Sequence, residues 1–104
     1  MKEQNCWYLK TWSNGIQRSG IPDIIACING WFIGIEVKAE NGKISELQKH
    51  EIKTIHEANG IAIVLFPDQF EEFKELVECL KEDEYLYACW HAGEINKKGC
   101  KKWQ

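Results

Sequence analysis

Pro22-Asp23-Ile24-Ile25-Ala26-Cys27-Ile28-Asn29-Gly30-Trp31-Phe32-Ile33-Gly34-Ile35-Glu36-Val37-Lys38 is the stretch that decides the fold. Asn-Gly between two apolar, β-branched runs is the strongest short hairpin signal, because both of its residues accept positive φ. Asp23 to Ile28 and Trp31 to Lys38 are therefore predicted to pair antiparallel. With Asn29-Gly30 at the apex, Ile28 faces Trp31, Ile25 faces Gly34 and Asp23 faces Glu36. Directly opposed β-carbons lie roughly 4.5–5.5 Å apart, and like charges so placed repel. Lys38, two residues beyond Glu36, projects from the same face. Two carboxylates and an ammonium are expected to converge at one end of a sheet.

The flanking segments supply the other elements. Cys6 to Thr11 and Trp12 are rich in aromatic and β-favouring residues and predict a first strand, ended by a loop over 13–22. After Asn41-Gly42, Ser45-Glu46-Leu47-Gln48 has the form of a capping box. Leu47, Ile52 and Ile55 continue it as a helical stripe up to Asn59-Gly60. Ile61 to Phe66 reads as a buried strand. Asp68 with Glu71 then caps an acidic helix over 68–82, lined by Phe70, Phe73, Val77 and Leu80. Tyr85 to Trp90 suggests one more strand, with a basic, irregular tail across 85–104. The expected fold is α/β: a small mixed sheet flanked by helices, in the order β-β-β-α-β-α.

The chain has 104 residues, 44% of them apolar and 28% charged, which fits one folded domain. No apolar run reaches the roughly 18 residues of a membrane span. The five cysteines are irregularly spaced and form no CxxC, so reduced thiols in a cytoplasmic setting are expected. Cys89-Trp90-His91 with Cys100 matches no standard zinc spacing. The net charge of −3 conceals an uneven distribution. Residues 68–84 carry eight acids against Lys74 and Lys81, whereas 85–104 carry four lysines against Glu94. The acidity belongs to one segment, which leaves room for a phosphate-facing surface elsewhere.

Two explanations fit the converging charges. A hard dication such as Mg²⁺ takes carboxylate oxygens together with waters and phosphate. It would relieve the repulsion and polarise a phosphodiester, with Lys38 stabilising developing negative charge. Alternatively the three groups form an exposed, mutually compensating cluster. Acid-x-Lys also occurs at Glu51/Lys53 and Glu72/Lys74, and Pro-Asp recurs at Pro67-Asp68. Only Pro22-Asp23 with Glu36-Val37-Lys38 falls on predicted paired strands.

Gly20-Ile21-Pro22-Asp23-Ile24-Ile25, Gly34-Ile35-Glu36-Val37-Lys38, Gly42-Lys43 and Ser45 through Gln48 together resemble the PD-(D/E)xK nuclease superfamily. More narrowly, residues 8–67 are similar to stand-alone virus-type replication–repair nuclease (VRR-NUC) domains of phages and prophages. The resemblance implies a restriction-endonuclease-like core and a DNA endonuclease dependent on Mg²⁺ or Mn²⁺. Such an enzyme hydrolyses phosphodiester bonds to 5′-phosphate and 3′-hydroxyl ends. By motif match, Asp23 and Glu36 would ligate the metal with the Val37 carbonyl, Lys38 would be the catalytic lysine, and Gln48 the helix glutamine near the site. Gln48 equally suits the Ser45 cap, and the two roles are compatible. Lys10, Arg18 and Ser19 lie beside the motifs and are candidates to hold DNA phosphates. Stand-alone members resemble Holliday-junction resolvases, which implies branched DNA and a homodimer, with no small-molecule cofactor or membrane partner. Family members usually open with a longer N-terminal helix bearing an acid, whereas here only Glu3 precedes the first strand. A nucleic-acid-binding module that keeps this fold without turnover is the alternative function.

Overall fold

The hairpin forms in the expected register. In the computed structural model, which describes residues 6–11 and 22–103 with side chains as far as Lys97, Asn29 and Gly30 both take positive φ (51° and 86°). This is the requirement of the tight hairpin turn that suits twisted strands. β2 (Ile24–Ile28) and β3 (Trp31–Val37) pair antiparallel, with Ile28 against Trp31 and Ile25 against Gly34. β1 (Cys6–Lys10) adds antiparallel to β2. From β3 the chain crosses through α1 (Glu46–Glu57) to β4 (Ile61–Leu65), which lies parallel to β3. The result is a mixed four-stranded sheet in the order β1-β2-β3-β4.

Side-chain alternation sorts the strands' apolar residues onto two faces. Ala26, Ile28, Ile33, Ile35, Ile61 and Ile63 form one buried layer under α2 (Phe70–Lys81) and α3 (Tyr85–Trp103). Ala62, Val64 and Phe66 form the other with Ile44, Ile52 and Ile55, under α1. The domain is thus a small α/β unit with helices on both sides of the sheet. Among the described residues no helix is long and apolar enough to cross a membrane.

Helix ends follow local chemistry. Ser45 and Gln48 make the reciprocal capping box at the start of α1. Asn59 (φ 68°) and Asp83 (φ 60°) terminate α1 and α2 in the left-handed conformation. The Gly60 and Glu84 N–H groups reach back to the Ile55 and Cys79 carbonyls at 2.9 and 2.7 Å. That six-residue closure satisfies carbonyls which the helix would otherwise leave unpaired.

Three expectations need correcting. Residues 85–103 are a helix, not a strand followed by an irregular tail. Ala88, Ala92 and Ile95 are buried at helical spacing, a stripe that the β-favouring composition of 85–90 obscures. The element order accordingly ends β-α-α. Asp68 does not cap the acidic helix: a 3-10 turn at Pro67–Gln69 precedes α2. There the buried Gln69 accepts from the Phe66 N–H (3.1 Å) and donates to the Ile95 carbonyl (2.8 Å). Phe70, expected on the lining face of α2, is exposed, while Leu76 takes its place in the core. Trp31 is half-buried and stacks on Tyr85 at 3.9 Å.

α3 also protects a sheet edge. The Asn96 side chain accepts from the Val64 N–H at 3.0 Å and donates to the Ala62 carbonyl at 2.9 Å. These contacts occupy outward-facing backbone groups of β4 that could otherwise pair with another chain.

The hairpin tip is tied to α2 as well. Asn29 Nδ2 donates to the Leu80 carbonyl (3.1 Å) and to Asp83 Oδ1 (2.6 Å). Asn29→Ala is expected to destabilise the fold by about 1–2 kcal/mol, through the lost contacts and the positive φ. Asn29→Gly should recover the backbone part of that loss. Urea denaturation of the three proteins checks the ranking, which an unchanged midpoint for Asn29→Ala would overturn.

Candidate active site

The site forms where β2 begins and β3 ends. Thr11 anchors the entry to β2: its N–H and its hydroxyl donate to the Asp23 carbonyl, at 2.7 and 3.1 Å, and the hydroxyl also reaches the Pro22 carbonyl at 2.6 Å. Pro22 is buried over Gly34, where an added β-carbon would stand 3.0 Å from the proline Cγ. A side chain at position 34 would require Pro22, the residue before Asp23, to give by a few tenths of an ångström. Thr11 and Gly34 are positioning residues with no charge to advertise them in the sequence.

Asp23 and Glu36 come together as the hairpin register requires. Asp23 Oδ2 accepts from the Val37 N–H at 3.0 Å. Val37 thus enters the site through its N–H, with its side chain on the far face. Glu36 is only 6% exposed, unusual for a carboxylate. Burial first, and the negative charge of Asp23 second, push its pKa up to about 7, while Lys38 pulls the other way. Lys38 Nζ lies 3.7 Å from Glu36 Oε1.

Gln48 fills both of its expected positions. Its side-chain oxygen accepts from the Ser45 N–H at 2.9 Å, while its Nε2 donates to Glu36 Oε1 at 2.7 Å. The capping box therefore fixes the amide whose other end holds the buried carboxylate. Asp23, Glu36, Lys38 and Gln48 form one connected cluster drawn from the residue before β2, from β3, the segment after it and α1.

Of the other candidates, Lys10 stands apart from the cluster. Lys10 pairs across from Ile24, at the same end of the sheet. Alternation puts it with Cys6 on the face toward α2 and α3, opposite the carboxylates. Arg18 and Ser19 lie outside the described residues. The far face of β3 also carries an open recess of about 350 Å³, lined mainly by Ile24, Ile35, Leu65, Phe66, Phe70 and Phe73. Its lining is apolar apart from Lys38, so it offers little convergent chemistry beside the carboxylate cluster.

No family model, curated protein or solved structure matches the chain. The chemistry of the cluster and the order of its motifs carry the functional argument.

Proposed function

We propose that this chain is a divalent-metal-dependent nuclease that hydrolyses DNA phosphodiester bonds at Asp23, Glu36, Lys38 and Gln48, on a restriction-endonuclease-like core. The observation that carries it is a buried glutamate beside a second carboxylate, with a lysine on the same oxygen as a fixed amide. Burying one carboxylate beside a second is costly for stability alone. Perturbed carboxylates of this kind concentrate at sites of chemistry. The resemblance of Pro22-Asp23, Glu36-Val37-Lys38 and Gln48 to the PD-(D/E)xK pattern supports the same conclusion.

The donor set suits a hard dication such as Mg²⁺ or Mn²⁺. Asp23 and Glu36 would hold it, with the Val37 carbonyl as the third protein ligand the resemblance implies. When bound, the cation supplies Lewis-acid polarisation of the phosphodiester. The chain's own groups do the rest. Gln48 fixes the orientation of the Glu36 carboxylate, and the Val37 N–H fixes that of Asp23. Lys38 carries positive charge to where negative charge grows on the phosphate in the transition state.

The test is cleavage of end-labelled linear, nicked and four-way-branched DNA with Mg²⁺, Mn²⁺ or chelator. Metal-dependent cutting is expected, strongest on branched DNA. No cutting under any condition, with salt-sensitive binding retained, would leave the non-catalytic binding module instead.

A homodimer, which suits paired cuts on a symmetric branched substrate, belongs to the same proposal. Trp7, Leu9 and Phe32 are exposed on the sheet face that α1 leaves uncovered, and they supply apolar area for such contact. Light scattering at micromolar concentration should give about twice the 12.1 kDa chain mass. A monomer alone would exclude it.

A further inference from the structure

α2 and α3 meet along a seam in which Glu72 and Glu75, one turn apart on α2, both face His91 on α3. The His91 side chain is only 13% exposed. Its Nδ1 donates to Glu72 Oε2, and Glu75 Oε2 lies 3.6 Å from the same nitrogen. One carboxylate oxygen from each glutamate and one imidazole nitrogen all fall within 4.8 Å of one another. The acids of this helix thus include two that meet a histidine of the neighbouring helix.

One proton on Nδ1 serves one acceptor. Glu72 takes it, and Glu75 stands too far away for a hydrogen bond to that nitrogen. A dication in place of the proton would engage all three groups at once. We propose that Glu72, Glu75 and His91 form a second cation site, distinct from the Asp23/Glu36 cluster, for a borderline dication such as Zn²⁺, Co²⁺ or Ni²⁺.

The ligand set decides the class of metal. One imidazole and two carboxylates suit these ions, whereas Mg²⁺ is served by oxygen ligands alone. Three protein ligands leave a coordination position for water, as in open zinc sites. The adjoining recess carries two further acids, Glu71 and Glu78, the latter 3.7 Å from Lys81. Lys74 lines it too, and its ammonium is paired with Glu71 at 3.5 Å. With ligands on both helices, the ion would clamp α3 to α2. The proposal is independent of the nuclease function, since it shares no residue with that cluster.

Isothermal titration with Zn²⁺, and visible absorbance with Co²⁺, test it on the full chain. The background is Asp23→Asn/Glu36→Gln, which removes the carboxylate pair. One ion per chain is expected, with the melting temperature raised on binding. His91→Gln should abolish binding while leaving every thiol in place. Glu75→Gln keeps the His91–Glu72 contact and alters only a largely exposed side chain, so it tests the site even if His91→Gln folds poorly. Outer-shell partners alone cost about 10–100-fold in affinity when mutated, so loss of the Glu75 ligand should cost at least as much. Failure of Zn²⁺ to bind the background protein would overturn the proposal. So would unchanged affinity in Glu75→Gln, which would return His91 to a plain interhelix ion pair.

Discussion

Glu36→Gln is expected to raise the melting temperature of the metal-free protein at about pH 8 and to change it little below about pH 4.5. The Glu36 pKa stands at about 7 against an ordinary value of 4.5. Below 4.5 the group is protonated in both folded and unfolded chains. Between 4.5 and 7 the unfolded chain ionises while the folded one holds its proton, so stability falls as pH rises. Above 7 the whole cost is present, roughly 3 kcal/mol. Cross-strand repulsion between like charges costs only about 0.2–1 kcal/mol; burial, the larger cause, adds the remainder. Glutamine keeps an oxygen for the Gln48 amide and carries no charge. The variant should therefore melt roughly 10 °C or more above the parent at alkaline pH. The same change should abolish metal-dependent cleavage. It should also erase stabilisation by Mn²⁺, which for an intact site is about 2.7 kcal/mol at a hundredfold excess over Kd. Asp23→Asn should likewise lose cleavage but gain less stability, since it removes the repulsion and leaves Glu36 buried. Thermal melts across pH, beside a nicking assay, decide the matter. A Glu36→Gln protein less stable than its parent at alkaline pH would mean that the carboxylate is held by compensating partners.

The carboxylate cluster was legible because a two-residue turn transmits register without slack. Once Asn29-Gly30 is the apex, every facing pair along the hairpin follows, and period-two alternation adds Lys38. Gln48 was legible in two parts: the capping box gives it Ser45 as a partner, while its place beside the carboxylates is implied only by the resemblance. What stayed hidden depends on contacts between elements distant in sequence. Thr11 meets Pro22 and Asp23 only through the β1–β2 pairing, and nothing about a lone threonine announces it. Lys10 is near the motifs in sequence and at the right end of the sheet, but alternation turns it to the other face. α3 is masked in the sequence because Tyr85, Tyr87 and Trp90 are β-favouring types, and tertiary packing overrides that propensity. Its helical stripe is built from two alanines and one isoleucine, weak signals individually. His91 can be linked to Glu72 and Glu75 only once that segment is a helix beside α2.

Lys38→Met separates the two roles that a lysine beside a metal site combines. The ammonium, 3.7 Å from Glu36 Oε1, lowers the Glu36 pKa and so favours the ionised ligand. The same charge repels an arriving dication. Which effect dominates depends on pH. At about pH 8 Glu36 is mostly ionised with Lys38 present, so repulsion of the metal outweighs the help given to ionisation. Mn²⁺ should then stabilise Lys38→Met at least as much as the parent. At about pH 6 the variant's Glu36 holds its proton more firmly, the metal must displace it, and Mn²⁺ stabilisation should fall below that of the parent. Cleavage should be lost at both values, by about 10²–10³-fold if Lys38 stabilises transition-state charge as one preorganised donor does. Melts with and without Mn²⁺ at the two pH values, together with the nicking assay, give all four readings. Cleavage at the parent rate would remove Lys38 from the chemistry. Loss of Mn²⁺ stabilisation at the higher pH would instead make the lysine a structural prop for the carboxylate pair.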